Sequence, residues 1–185
     1  FTAEQKEMFC AIAVVWLTLI ACKLDDVAFL EATVEQQATV LNTSNSAMVH
    51  KFVQDSMAEI ARHKLMKKHD KLAAFASNCL SQALSVSVYS RKRAFASGFV
   101  GVVQGLGVRA MRQFDVLAIL EQACREKQAP RIGAMIVLEC LATALGRSFE
   151  PYALTMIQPL LDNVADKDSK IADCAEDASK AVMRN

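Results

Sequence analysis

Apolar residues along this chain recur at helical spacing, and polar breaks between the periodic segments are short. Thr2 and Gln5 form a capping box for a first helix running to about Leu24. Asp25 or Asp26 caps a second, in which Val27, Leu30, Val34, Ala38 and Leu41 share one face. After the polar break 42–46, a third helix turns Val49, Phe52, Val53 and Ile60 inward and Lys51, Gln54, Asp55, Glu59 and Arg62 outward. A fourth starts near Asp70 and buries Leu72, Phe75, Cys79, Ala83 and Val86. Ser90 caps a helix to about Leu106, Asp115 lies in one ending near Lys127, and Pro130 opens another that stops at Gly146. Pro151 starts a helix with a stripe of Leu154, Ile157, Leu161 and Val164, interrupted at Pro159. The last helix aligns Ile171, Ala175, Ala178 and Val182 against a polar face of Asp173, Glu176, Asp177 and Lys180.

The segments Arg93 to Gly107 and Arg131 to Gly146 follow one pattern, and the closing Leu-Gly recurs 39 residues later. A period of that size belongs to stacked helix pairs, which cannot bury their apolar faces alone. The expectation is an all-α solenoid of paired antiparallel helices, with eight or nine helices. Extended surfaces for partners follow from that architecture, and function is to be sought in binding.

Composition narrows the chemistry. Aromatics make up only 6% of the 185 residues and the net charge is +1, so no global field directs the chain to a polyanion. The six cysteines have no C-x-x-C pair, and His50, His63 and His69 are not at metal-ligand spacing. These thiols read as reduced core residues. The uncharged run Cys10 to Cys22 is short for a membrane span, since Glu7 and Lys23 bracket about fifteen residues where about twenty are needed. No signal-peptide pattern opens the chain, and the missing initiator methionine suggests a fragment of a longer protein.

The dipeptide-rich loop Gly105-Leu106-Gly107-Val108-Arg109-Ala110 fits G-x-G-x-x-A after a strand-like run 99–104, with Glu139 as a conceivable ribose acceptor. That is the alternative reading, a dinucleotide-binding oxidoreductase domain. Against it stand the helical stretch upstream and the period that treats both supposed strands as equivalent helices. A calcium loop at Asp166 and Asp168 fails because Ile171 stands where glycine is required. No nucleophile elbow, phosphate loop or H-E-x-x-H occurs, so no catalytic residue, metal or cofactor is expected.

Basic residues gather at helix starts and turns: Arg91, Lys92, Arg93, Arg109, Arg112, Arg125, Lys127 and Arg131, with Lys64, Lys67, Lys68 and Lys71 near His69. In a helix-pair stack Arg93, Arg131 and Lys170 fall at equivalent turns. They form either a phosphate-binding ladder or an internal one with acids such as Asp166 and Asp168. We assign Arg93, Arg131, Lys170, Asp166 and Asp168 to the structural ladder. Arg91, Lys92, Arg109, Arg112 and Lys127 are the candidate phosphate contacts.

The strings G-V-V-Q-G-L-G, then Arg131 to Tyr152 with its L-G-x-x-F-E-P-Y element, then Ala175 to Met183, resemble the HEAT-repeat translational activator of general amino-acid control, in the part similar to translation elongation factor three. The resemblance covers about Ser90 to Met183 and departs at Lys170-Ile171-Ala172-Asp173, where the family usually carries Val-Arg-Glu-Ala. It implies a long cytoplasmic scaffold, not an enzyme, whose partners are the ribosome and, through the parent protein, the stress-response kinase that phosphorylates initiation factor two alpha. Neither a membrane nor a small-molecule substrate is implied. Residues 90–185 are expected to be the elongation-factor-three-like repeats and residues 1–89 divergent repeats of one solenoid.

Overall fold

A computed structural model describes residues 1–184, and among them every regular element is helical. The elements are α1 (Ala3–Leu24), α2 (Val27–Thr43), α3 (Ala47–Arg62), α4 (Asp70–Ser85), α5 (Tyr89–Leu106), α6 (Arg109–Gln113), α7 (Val116–Ala123), α8 (Gln128–Leu145), a 3₁₀ turn Gly146–Phe149, α9 (Glu150–Val164) and α10 (Ser169–Met183). Local chemistry sets several boundaries. Gln5 N–H donates to Thr2 Oγ1 at 3.2 Å while Thr2 N–H donates to Gln5 Oε1 at 2.9 Å, closing the capping box. Asp25 ends α1 in the left-handed conformation at φ 55°, and Asp26 Oδ1 caps α2 through Phe29 N–H at 3.1 Å. Gly107 and Gly146 close the two equivalent helices at φ 80° and 53°.

The helices form two layers. α1, α3, α5, α8 and α10 lie side by side in one, and α2, α4, α7 and α9 cover them in the other. The first layer is parallel and in register: Gly101 of α5 lies on Gln54 and Met57 of α3, Gly105 lies on Ala58 and Ala61, and Gln104 reaches Ala144 of α8. A methyl group at Gly105 would collide with the Ala58 carbonyl oxygen and the Ala61 Cβ. The glycines therefore serve close helix approach, and the run 99–104 is buried α-helix. That removes the dinucleotide loop, which needs a strand before its glycines and open space around them.

Other expectations need correction. The described residues hold ten α-helices where eight or nine were expected, because the short helix α6 (Arg109–Gln113) lies between Gly107 and Asp115. Asp115 sits in the left-handed region at φ 48° between α6 and α7, and α7 ends at Ala123. Val88, with no side-chain bond, occupies the cap position assigned to Ser90. Pro159 lies inside an unbroken α9: the carbonyl its missing N–H would have engaged belongs to Thr155 on the exposed side. The stripe Leu154, Ile157, Leu161 and Val164 is exposed, and the buried side of α9 is Met156, Leu160 and Asn163. Val27 and Phe52 are likewise outside. α1 is itself 22 residues long, enough by length and composition to cross a bilayer, so the shortness of its uncharged run does not decide the matter.

Candidate functional site

The turns that join the layers define two edges of the stack. One edge carries the turns α2–α3, α4–α5, α7–α8 and α9–α10; the opposite edge carries α1–α2, α3–α4, α5–α6 and α8–α9.

On the first edge Arg91, Lys92, Arg93 and Arg131 are bound internally. Lys92, in the first turn of α5, is 2% exposed, and its Nζ donates to the carbonyls of Ala83 (3.2 Å), Leu84 (2.9 Å) and Ala129 (2.7 Å). Two of these are end carbonyls of α4, which have no acceptor role left within their own helix. Burial pulls the Lys92 ammonium down to about 8. Lys92 is therefore not a phosphate contact; the assignment is corrected by its burial. Arg91, half-buried, donates to the Leu41 carbonyl at the end of α2, 2.9 Å away.

Arg93 grips both oxygens of Glu139 on α8 at 2.6 Å and lies 5.7 Å from the centre of the Tyr89 ring. Arg131, the equivalent residue of α8, donates to Asn163 at 2.9 Å and to Asp166 in the α9–α10 turn. The Asp168 N–H and the Arg131 guanidinium hold the Asp166 carboxyl below its ordinary range. Asp168 accepts from Lys170 N–H at 3.0 Å as the cap of α10 and also takes a bond from Gln128. The Lys170 side chain is exposed with no acidic partner among the described residues. Lys127 is exposed and unpaired as well.

On the opposite edge Arg109 and Arg112 are exposed on α6 and pair with no carboxylate among the described residues. The L-G-x-x-F-E-P-Y element lies beside them. Phe149 is 1% exposed, its ring 6.2 Å from that of Tyr152, and the Tyr152 hydroxyl donates to the Val108 carbonyl at 3.4 Å. This element ties one turn to the next.

Several polar residues escaped the sequence reading. Gln54, expected outward, donates to Gln104 Oε1 at 2.8 Å, and Gln104 donates to the Ala144 carbonyl at 3.2 Å, a chain crossing α3, α5 and α8. Glu139 is the anchor of Arg93 rather than a ribose acceptor. Among the described residues no group of three or more His, Cys, Asp or Glu is placed to hold a metal. Burial pushes the Cys140 thiol up to about 11 and the Cys124 thiol up to about 12, which keeps both protonated.

With this geometry in hand, the chain can be compared with known proteins. The profile of the family described as EF3 N-terminal HEAT repeat matches residues 92–185. The Arabidopsis thaliana protein ILITYHIA is 28% identical over 152 residues, 81% of this chain and 6% of its own length. The Mus musculus stalled ribosome sensor GCN1 is 30% identical over 135 residues, 72% of this chain and 5% of its own length. The Saccharomyces cerevisiae eIF-2-alpha kinase activator GCN1 is 27% identical over 158 residues, 84% of this chain. The chain thus spans about 6% of the length of the relatives it matches. No solved structure matches it. A two-layer stack of helix pairs, with its Arg131–Asp166 turn contact and its family match over α5 to α10, places this chain in the EF3 N-terminal HEAT repeat family.

Proposed function

We propose that this chain is a non-catalytic, ribosome-facing scaffold segment of a cytoplasmic translational activator that promotes phosphorylation of initiation factor two alpha when ribosomes stall or amino acids run short. The observation that carries the reading is the similarity of most of the chain to relatives named stalled ribosome sensor and eIF-2-alpha kinase activator. The architecture supports it. Equivalent helices repeat, and their turns present side chains along two edges, as a scaffold requires. The parent protein, through other segments, would engage the kinase.

In this reading residues 1–89 are divergent repeats of the same solenoid. Both ends of the stack then need neighbours. α1 exposes Met8, Phe9, Ile12, Trp16 and Ile20, and α9 exposes Leu154, Ile157 and Leu161. Repeats at the end of a solenoid normally turn a polar face to water, whereas these faces suit further stacked helices. α1 is read as a solenoid helix rather than a membrane span because Val14 and Ala21 are buried in the common core and Thr18 accepts a bond from Gln37 of α2 at 3.4 Å.

The test is a replacement. The chain is grafted in place of the stretch it matches in the Saccharomyces cerevisiae activator, and phosphorylation of initiation factor two alpha is measured on amino-acid starvation. The response is expected to be lost on deleting the stretch and restored by the graft. A response that survives the deletion unchanged would remove the assigned role.

A further inference from the structure

The first edge mixes committed cations with the exposed Lys127, Lys167 and Lys170, whereas the opposite edge carries a longer row of exposed ones. On the edge of the α4–α5 and α7–α8 turns, Arg91, Lys92, Arg93 and Arg131 are committed to carbonyls and carboxylates of neighbouring helices and turns. On the other edge, Lys67 and Lys68 in the α3–α4 turn, Arg109 and Arg112 after α5, and Arg147 after α8 are exposed and have no acidic partner among the described residues. Lys64, Arg62 and Lys71 near that edge are paired, with Asp25 at 2.6 Å, with Glu59, and with Glu31 at 3.3 Å and Glu35.

Because α3, α5 and α8 run parallel and in register, these three turns lie in a row. Neighbouring helices pack about 8–10 Å apart, so the row presents positive charge at intervals of about 10 Å along a rigid line. Asp70, Asp115 and Glu150 stand at the starts of α4, α7 and α9 near this edge, and the five free cations outnumber these three acids. The aromatic side chains of the row are turned inward: Phe149 is buried, and Phe114 packs edge-on against the core ring of Phe99 at 6.0 Å. The row therefore offers contacts to phosphates and none by stacking on bases.

We propose that Lys67, Lys68, Arg109, Arg112 and Arg147 form a binding edge for the phosphate backbone of double-stranded RNA, without reading its sequence. The proposal rests on the ribosome-facing reading above and specifies its surface and ligand. A stiff duplex presents regularly spaced charge to a stiff row of cations, and the guanidinium groups of α6 match phosphate oxygens in pairs. Each phosphate engaged releases bound counterions, so affinity falls as salt rises.

The test uses the whole chain and a fluorescein-labelled RNA duplex of about 20 base pairs and arbitrary sequence, followed by anisotropy over a salt series. One variant combines Lys67→Gln, Lys68→Gln and Arg112→Gln. A second, with the same loss of charge, combines Lys127→Gln, Lys167→Gln and Lys170→Gln on the opposite edge. Circular dichroism confirms that both stay helical. The first variant is expected to lose roughly tenfold or more in affinity and to flatten the salt slope by roughly 0.9 per contact removed, and the second to stay within about twofold of wild type. An absence of duplex binding at low salt, or equal losses in the two variants, would overturn the proposal. Sedimentation of the chain with ribosomes is read in parallel. Ribosome association that survives without duplex binding leaves the functional reading standing and sinks the edge; duplex binding without ribosome association does the reverse.

Discussion

Arg93 and Glu139 are joined across two repeats, with the guanidinium 2.6 Å from both carboxylate oxygens and both side chains more than half buried. The bond fixes the start of α5 to the middle of α8, so it acts on how one helix pair sits on the next. Arg93→Met and Glu139→Gln are each expected to cost about 1–2 kcal/mol in urea unfolding, with a coupling near 1 kcal/mol in the double-mutant cycle. Additive losses would mean that the pair contributes nothing as a pair.

Close approach of α3 and α5 depends on missing side chains. At Gly101 a methyl group would collide with the Gln54 carbonyl oxygen, which is backbone and cannot move aside. Gly101→Ala is expected to lower stability by about 2 kcal/mol or more through forced separation of the helices. At Gly107 the space is open, and only the positive φ of 80° opposes a side chain. Gly107→Ala should therefore cost less, about 1 kcal/mol. Thermal unfolding of the two variants side by side checks the order.

Lys92 is the interior cation of the stack, and its three carbonyl partners come from two other helices. Lys92→Met keeps the length and apolar stem but leaves those carbonyls without a donor, at an expected cost of about 1–3 kcal/mol. Arg91→Met removes one bond at a half-buried site and should cost about 1 kcal/mol. Equal effects, or a stabilised Lys92 variant, would contradict this account.

Alkaline pH should destabilise the chain. Burial raises the Cys79, Cys124 and Cys140 thiols, the last two to about 12 and about 11, whereas an unfolded cysteine titrates near 8.5. Above that pH the unfolded chain has lost protons that the folded chain keeps, so stability falls as pH rises, by up to about 1.4 kcal/mol per unit for each thiol. Lys92, lowered to about 8, works in the opposite direction between that pH and about 10.4, but it is one group against three. Urea midpoints under reducing conditions from pH 8 to 10 should decline, and Cys124→Ala should make the decline shallower.

Periodicity located the helices because each hides one face, but it could not identify what covers that face. Phe52 and the stripe Leu154, Ile157 and Leu161 have the spacing of core residues and lie outside. Their apolar character is real, yet the described helices cover them only in part. Side-chain roles within the basic triplet were illegible for a related reason. Consecutive helical residues point about 100° apart, so Lys92 faces the interior while Arg91 and Arg93 on either side reach α2 and α8. The 39-residue echo of Leu-Gly did expose the equivalence of α5 and α8. It left Glu139 and Asp166 undistinguished as partners, because Arg93 finds its acid on the next helix and Arg131 finds its own in a turn.

Co-sedimentation of the isolated chain with purified ribosomes over a salt series tests the proposed role most directly. The account requires saturable association at low salt that weakens steadily as salt rises, because the available contacts are solvent-facing cations. A chain that remains in the supernatant at the lowest salt, while its circular dichroism stays helical, would contradict it.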